Sequence, residues 1–187
     1  MNQWDREKYA NAWHFATLHH QGQTYGGTQP DMRIDYLNHI GSVAMEVLWA
    51  LQNASELYDA DLAIQCALLH DTIEDTSVTY EQLKAEFGEA VAAGVQALTK
   101  NVQLADKQAQ MLDSLTRIQQ QPKEVWMVKM ADRICNLYHP PYYWSHEKIR
   151  TYWQEAQVIY QTLYTGNDLL AHRLEEKMNQ YLQFLGK

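Results

Sequence analysis

Cysteine is scarce in this chain: Cys66 and Cys135 are the only two among 187 residues. They stand far apart, each inside an apolar helical stretch, which excludes a disulfide framework and reads as buried, reduced thiols. Basic residues are also few, with 15 Lys and Arg against 23 Asp and Glu and a formal net charge of -8. No basic block occurs, so neither a nucleic-acid groove nor an anionic membrane surface is an expected partner. No apolar run approaches the ~20 residues of a membrane span. The opening residues MNQWDREKYANAW carry no apolar leader. These absences predict a soluble, cytoplasmic protein forming a single domain over 1–187. An anionic substrate would then need positive charge supplied locally, as a bound metal supplies it.

What is present is helical periodicity. Helices are expected over 4–20, from Asp35 as N-cap to about Asn53, and over 59–72. Thr79 with Gln82 resembles a capping box opening a short helix, and Gly88 precedes another running to about Lys100. Further helices are expected over 104–120, 123–138, 146–165 and 168–185, with Pro122 suited to a first turn. Glycine and proline punctuate the pattern at Gly22 to Pro30, Pro140-Pro141 and Gly166. No strand pair, repeat or linker is evident. The expected fold is all-α, a compact bundle of about eight or nine helices.

One segment breaks the apolar pattern sharply. In LLHDTIED, His70, Asp71, Glu74 and Asp75 follow directly on Ala67-Leu68-Leu69. On a helix His70 would share a face with Glu74, and Asp71 with Asp75, while Ala63, Cys66 and Ala67 place His70 on the core side. Asp132 shares the apolar face of Val125 and Val128, and His39 lies close to the apolar stripe of the second helix. A buried carboxylate or imidazole is costly without a partner. His39, His70, Asp71 and Asp132 form a mixed nitrogen and oxygen set that suits Mn, Fe or Zn and leaves positions for water and substrate. Taken one at a time, each has a plainer reading as a hydrogen-bonded or ion-paired residue.

In the order His39, His70-Asp71, Asp132, the chain resembles the HD-domain metal-dependent phosphohydrolases. More narrowly it resembles the (p)ppGpp hydrolase domain of RelA/SpoT proteins and the small alarmone hydrolases. The resemblance is carried by His20-Gln21-Gly22-Gln23, Tyr36-Leu37-Asn38-His39, ALLHDTIEDT, Phe87-Gly88 leading to Ala97-Leu98-Thr99-Lys100, and Lys129 to Leu137. It implies that His39, His70, Asp71 and Asp132 bind Mn2+, with Fe2+ or Zn2+ as alternatives. It implies that Glu74 and Asp75 handle a water and its proton, and that Asn136 touches the nucleotide. A positioned carboxylate beside a metal is what phosphoryl hydrolysis needs.

Two departures stand out. Where the family usually carries an Arg-Lys pair against the guanine nucleotide, this chain reads Thr24-Tyr25-Gly26-Gly27, and the loop before Tyr36 is longer. Arg33 is the one cation that this loop offers, and tyrosine and glycine cannot replace a guanidinium. The run Tyr138-His139-Pro140-Pro141-Tyr142-Tyr143-Trp144 reads equally as an aromatic wall against a base or as a packed loop. The expected function is metal-dependent hydrolysis of a phosphorylated nucleotide, foremost the 3′-pyrophosphate of (p)ppGpp, without a synthetase region. Arg33, Lys129 and Arg133 are further candidates for neutralising phosphates, each with the plainer reading of a surface charge. The alternatives are an HD phosphatase for another phosphorylated nucleotide or metabolite, and a non-catalytic nucleotide-binding module. Oligomeric state is left open.

Overall fold

The computed structural model describes residues 2–186. Helix α1 (Arg6–His19) opens on Asp5, whose side chain accepts from the Glu7 N–H. It stops before Gly22, which adopts φ 77°, a left-handed conformation that glycine enters without a Cβ clash. Strands β1 (Thr24–Gly26) and β2 (Arg33–Asp35) follow as an antiparallel hairpin, with Tyr25 opposite Ile34 and Gly26 opposite Arg33. The hairpin corrects the expectation that no strands pair. Three-residue strands are too short to display a two-residue period, and their Gly- and Pro-bearing connection reads as loop.

Because the ladder uses Asp35, helix α2 (Leu37–Asn53) has Tyr36 as its N-cap, one residue later than expected, with no side-chain cap. Next come α3 (Ala60–Leu69) and the single turn α4 (Thr72–Asp75), where one helix over 59–72 was expected. The break falls at Asp71, with φ -102° and ψ 0°, and the Thr72 hydroxyl donates to the Leu69 carbonyl. Helix α5 (Tyr80–Phe87) carries the expected capping box of Thr79 and Gln82. The remaining helices are α6 (Glu89–Leu98), α7 (Lys107–Gln119), α8 (Lys123–Asn136), α9 (His146–Leu163) and α10 (Asp168–Tyr181). Pro122 is the N-cap of α8, just outside the first turn predicted for it. Among the described residues there are ten α-helices, so the all-α bundle stands with one short helix more than expected. None of them is long and apolar enough to cross a membrane.

Helix α3 lies at the centre, and every residue of it except Asp61 is buried. A helix apolar on all sides has no face to give to water, so neighbours must surround it. Helices α1, α2, α6 and α8 do so, and α2 also packs against α8. The C-terminal end of α3 therefore meets the flanks of α2 and α8, which brings His39, His70 and Asp132 into one neighbourhood.

A charged pair ties the outer helix to this core. Glu46 on α2 is 1% exposed, and Arg173 on α10 donates to both its oxygens at 2.7 Å. The Tyr138 hydroxyl completes the cluster, 3.1 Å from the Arg173 guanidinium. Removing one partner of such a pair leaves an uncompensated buried charge. Arg173→Leu is therefore expected to destabilise the fold by about 3 kcal/mol, read as a lowered denaturation midpoint in urea.

Candidate active site

His39, His70 and Asp132 each bring one donor atom within 4.8 Å of the others. The two imidazole Nε2 atoms are 3.2 Å apart, and Asp132 Oδ1 lies 3.4 Å from that of His39. Asp71 enters from the other side, its Oδ2 3.0 Å from His70 Nε2 and 3.7 Å from His39 Nε2. His70 is 3% exposed, and its Nδ1 meets the Ala67 carbonyl at 2.8 Å. That contact makes Nδ1 the donor to the backbone and turns Nε2 towards the centre, the orientation a metal ligand requires.

Electrostatics explain why the cluster tolerates its own charge. Burial alone would push the His70 imidazole down, but the Asp71 carboxylate and then Asp132 outweigh it and raise it to about 9. Burial alone would likewise raise both carboxyls. His70 instead holds Asp71 below the usual range, and Lys129 with the two imidazoles holds Asp132 well below it. Carboxylates kept ionised beside imidazole nitrogens form a hard-to-intermediate donor set that fits a divalent cation, which can take the place of the imidazole protons.

Asp132 is held in turn from α8 itself. Asn136 Nδ2 donates to its Oδ1 at 2.6 Å and Lys129 Nζ to its Oδ2 at 2.9 Å. Both were candidates for substrate contact; both line the central cavity, and both already brace a carboxylate. Lys129 was expected as a surface charge, yet its side chain is only 13% exposed.

Glu74 and Asp75 sit on α4 and part company in their partners. Glu74 accepts from Lys100 twice, from Nζ at 2.6 Å and from the backbone N–H at 2.9 Å. Among the described residues Asp75 has no ion pair; its Oδ2 is 3.0 Å from the Tyr36 hydroxyl, which also lies 2.5 Å from Asp71 Oδ2. Burial, then the Asp71 charge, raise the Asp75 carboxyl. Lys100 and Tyr36 were read only as parts of family-like segments, because nothing in the sequence pairs a lysine with a glutamate 26 positions away.

These groups open on one cavity of about 760 Å³ between the hairpin, α7, α8 and α9. Lys100, Lys107, Lys129, Arg133 and Lys148 line it together with Asp71, Glu74, Asp75, Asp132 and Glu155, and Lys100, Lys129 and Arg133 are each paired with one of those carboxylates. Arg133, expected at the surface, is 6% exposed, with its guanidinium 3.8 Å above the Tyr152 ring. Arg33 lies on β2 outside that lining. Tyr143 and Trp144 belong to the lining, whereas Tyr138 also braces the Glu46–Arg173 pair. A Cβ on Gly26 would stand 2.9 Å from Tyr143 Cε1, so the missing side chain is what admits this ring against the hairpin.

Comparisons with known proteins agree with this arrangement. The family model described as HD domain matches residues 12–169. Guanosine-3′,5′-bis(diphosphate) 3′-pyrophosphohydrolase MESH1 of Danio rerio is 33% identical over an alignment of 147 positions that covers 75% of this chain and 77% of that protein. The Aquifex aeolicus guanosine-3′,5′-bis(diphosphate) 3′-pyrophosphohydrolase is 31% identical over 90% of this chain and 22% of its own length. Among solved structures, a metazoan orthologue of SpoT that hydrolyses ppGpp superposes with a TM-score of 0.78 at 24% identity. It covers 95% of this chain and 97% of that one, a likeness of fold. With a matching family model over most of its length and a buried His-His-Asp cluster at the expected place, the chain belongs to the HD-domain family of metal-dependent phosphohydrolases, as a homologue of the (p)ppGpp hydrolases.

Proposed function

We propose that this enzyme removes the 3′-pyrophosphate of (p)ppGpp, giving GDP or GTP and pyrophosphate. The single observation that carries the reading is the meeting of His39, His70 and Asp132, with Asp71 against the two imidazoles and Asp75 beside it, in one open cavity. The relatives named for this activity support the choice of substrate.

In this reading His39, His70, Asp71 and Asp132 hold the metal, with Mn2+ favoured over Fe2+ or Zn2+ by family resemblance. A divalent cation there polarises the phosphoryl oxygen and makes water more acidic. Glu74 and Asp75 take the proton of the attacking water or return one to the departing ribose oxygen. Glu74 keeps its orientation through Lys100, and Asn136 and Lys129 hold Asp132 while facing the nucleotide. Lys107 and Lys148, on the cavity wall, would supply positive charge to the remaining phosphates. Arg33 lies across the hairpin from Gly26 and serves the outer end of the nucleotide. The free thiols of Cys66 and Cys135 accord with a cytoplasmic location.

One observation favours a second reading. Tyr143 seated against Gly26 gives the hairpin end an aromatic surface, which accepts any base by its face. The substrate would then be a different phosphorylated nucleotide, cleaved by the same machinery. Incubating Mn2+-loaded protein with ppGpp, pppGpp, nucleoside monophosphates and a dinucleotide 2′-phosphate separates the two. Pyrophosphate released from ppGpp is the expected result. Orthophosphate from another member of the panel, with ppGpp intact, would shift the assignment to the second reading; no release from any of them would overturn hydrolysis itself.

A further inference from the structure

Tyr36 and the segment from His20 to Gln23 are not used by the scheme above, although they touch it. The Tyr36 ring stacks on His20, with centroids 5.2 Å apart and planes 26° from parallel. His20 is 1% exposed, and its Nδ1 meets Gln23 Oε1 at 2.7 Å. Besides its own N–H, which donates to the His20 carbonyl at 3.0 Å, Gln23 is engaged at three further points. Its carbonyl accepts from the Tyr36 N–H at 3.0 Å, its Oε1 faces His20, and its Nε2 donates to the Asp75 carbonyl at 2.8 Å. The end of α1 and the start of the hairpin thus grip Tyr36 by ring and backbone, and grip α4 by its last residue.

The far end of Tyr36 is where this frame meets the chemistry. Its hydroxyl reaches Asp71 Oδ2 at 2.5 Å and Asp75 Oδ2 at 3.0 Å. That Asp71 oxygen is the one turned towards His70 and His39. Asp71 stands at the break between α3 and α4, and α4 is one turn long, so little within its own helix fixes Asp75. Among the described residues Asp75 has no lysine partner of the kind Glu74 has. A hydroxyl held rigidly between the two carboxylates sets their separation, and separation governs how well a proton-transfer group meets its target.

We propose that Tyr36 is a positioning residue for the hydrolysis, holding the metal-facing oxygen of Asp71 and the carboxylate of Asp75 in fixed register, with His20 and Gln23 as its anchor. This inference rests on the reading in which Asp71 binds metal and Asp75 moves a proton. It goes beyond that reading by assigning the hydroxyl a share of turnover that packing alone would not carry.

The test compares wild type with Tyr36→Phe, Asp75→Asn and the double variant, each saturated with Mn2+ and assayed on whichever panel nucleotide wild type cleaves. Tyr36→Phe keeps the ring that stacks on His20, so its thermal midpoint should stay near that of wild type. We expect kcat to fall roughly 10- to 100-fold with KM little changed, and Mn2+ affinity by titration calorimetry to weaken by about tenfold. In the Asp75→Asn background the same substitution should cost much less, because the hydroxyl acts partly through Asp75. A Tyr36→Phe enzyme with wild-type kcat and wild-type Mn2+ affinity would overturn the proposal. So would losses in the single variants that simply multiply in the double. If wild type cleaves nothing in the panel, the functional reading fails, and the calorimetric comparison still decides whether Tyr36 supports the metal site.

Discussion

Asp132→Asn should lower turnover by about 1000-fold or more, the size expected when several kcal/mol of transition-state charge stabilisation are withdrawn. The amide matches the carboxylate in shape, so α8 keeps its packing and the loss reports on charge. Asp132 is an informative position for this test, because its carboxylate faces His39 at 3.4 Å and is braced by Asn136 and Lys129. Substitution also leaves the Lys129 ammonium without the carboxylate it now meets at 2.9 Å. Metal content measured after dialysis against Mn2+ should fall together with activity. Full activity with a full complement of metal in this variant would remove Asp132 from the ligand set.

Asp75→Asn and Glu74→Gln are expected to separate chemistry from metal binding. Each should cost about 100- to 10,000-fold in kcat, the range for removing a positioned proton-transfer group, while Mn2+ content stays near wild type. Asp75 should show the larger loss. Its carboxyl is raised by burial and by Asp71, so it exchanges protons closer to neutrality than an ordinary aspartate. Glu74 is tied down by Lys100 through two bonds, and its amide would lose the ion pair while keeping the shape. Should both variants retain turnover, the proton would have to come from solvent or substrate, and the acidic turn would revert to a helix end that merely supports Lys100.

Some of this was legible before any coordinates. The apolar period of α2 and α8, the capping box of α5 and the run of small apolar residues in α3 each carry a local signal, because helix formation and burial are set by spacing along one segment. The candidate ligands were legible for the converse reason. An imidazole or carboxylate placed on an apolar face is a cost that the local pattern cannot repay. The break at Asp71 was hidden, since nothing in HDTIED announces that the helix stops and restarts. The hairpin was hidden too, because Thr24–Gly26 and Arg33–Asp35 are ordered by pairing with each other and by the Tyr36 N–H bonding back to Gln23.

Composition and periodicity by themselves determined an acidic helical chain with costly polar residues on its core faces, and the order of those residues pointed to a family. The partnerships were decided only in three dimensions: Lys100 with Glu74, Arg173 with Glu46, Tyr36 between Asp71 and Asp75, Tyr143 against Gly26. Each joins residues far apart in the chain. Ion pairing, hydrogen bonding and close packing depend on separations of a few ångströms, and only the meeting of α2, α3 and α8 around a shared core creates them.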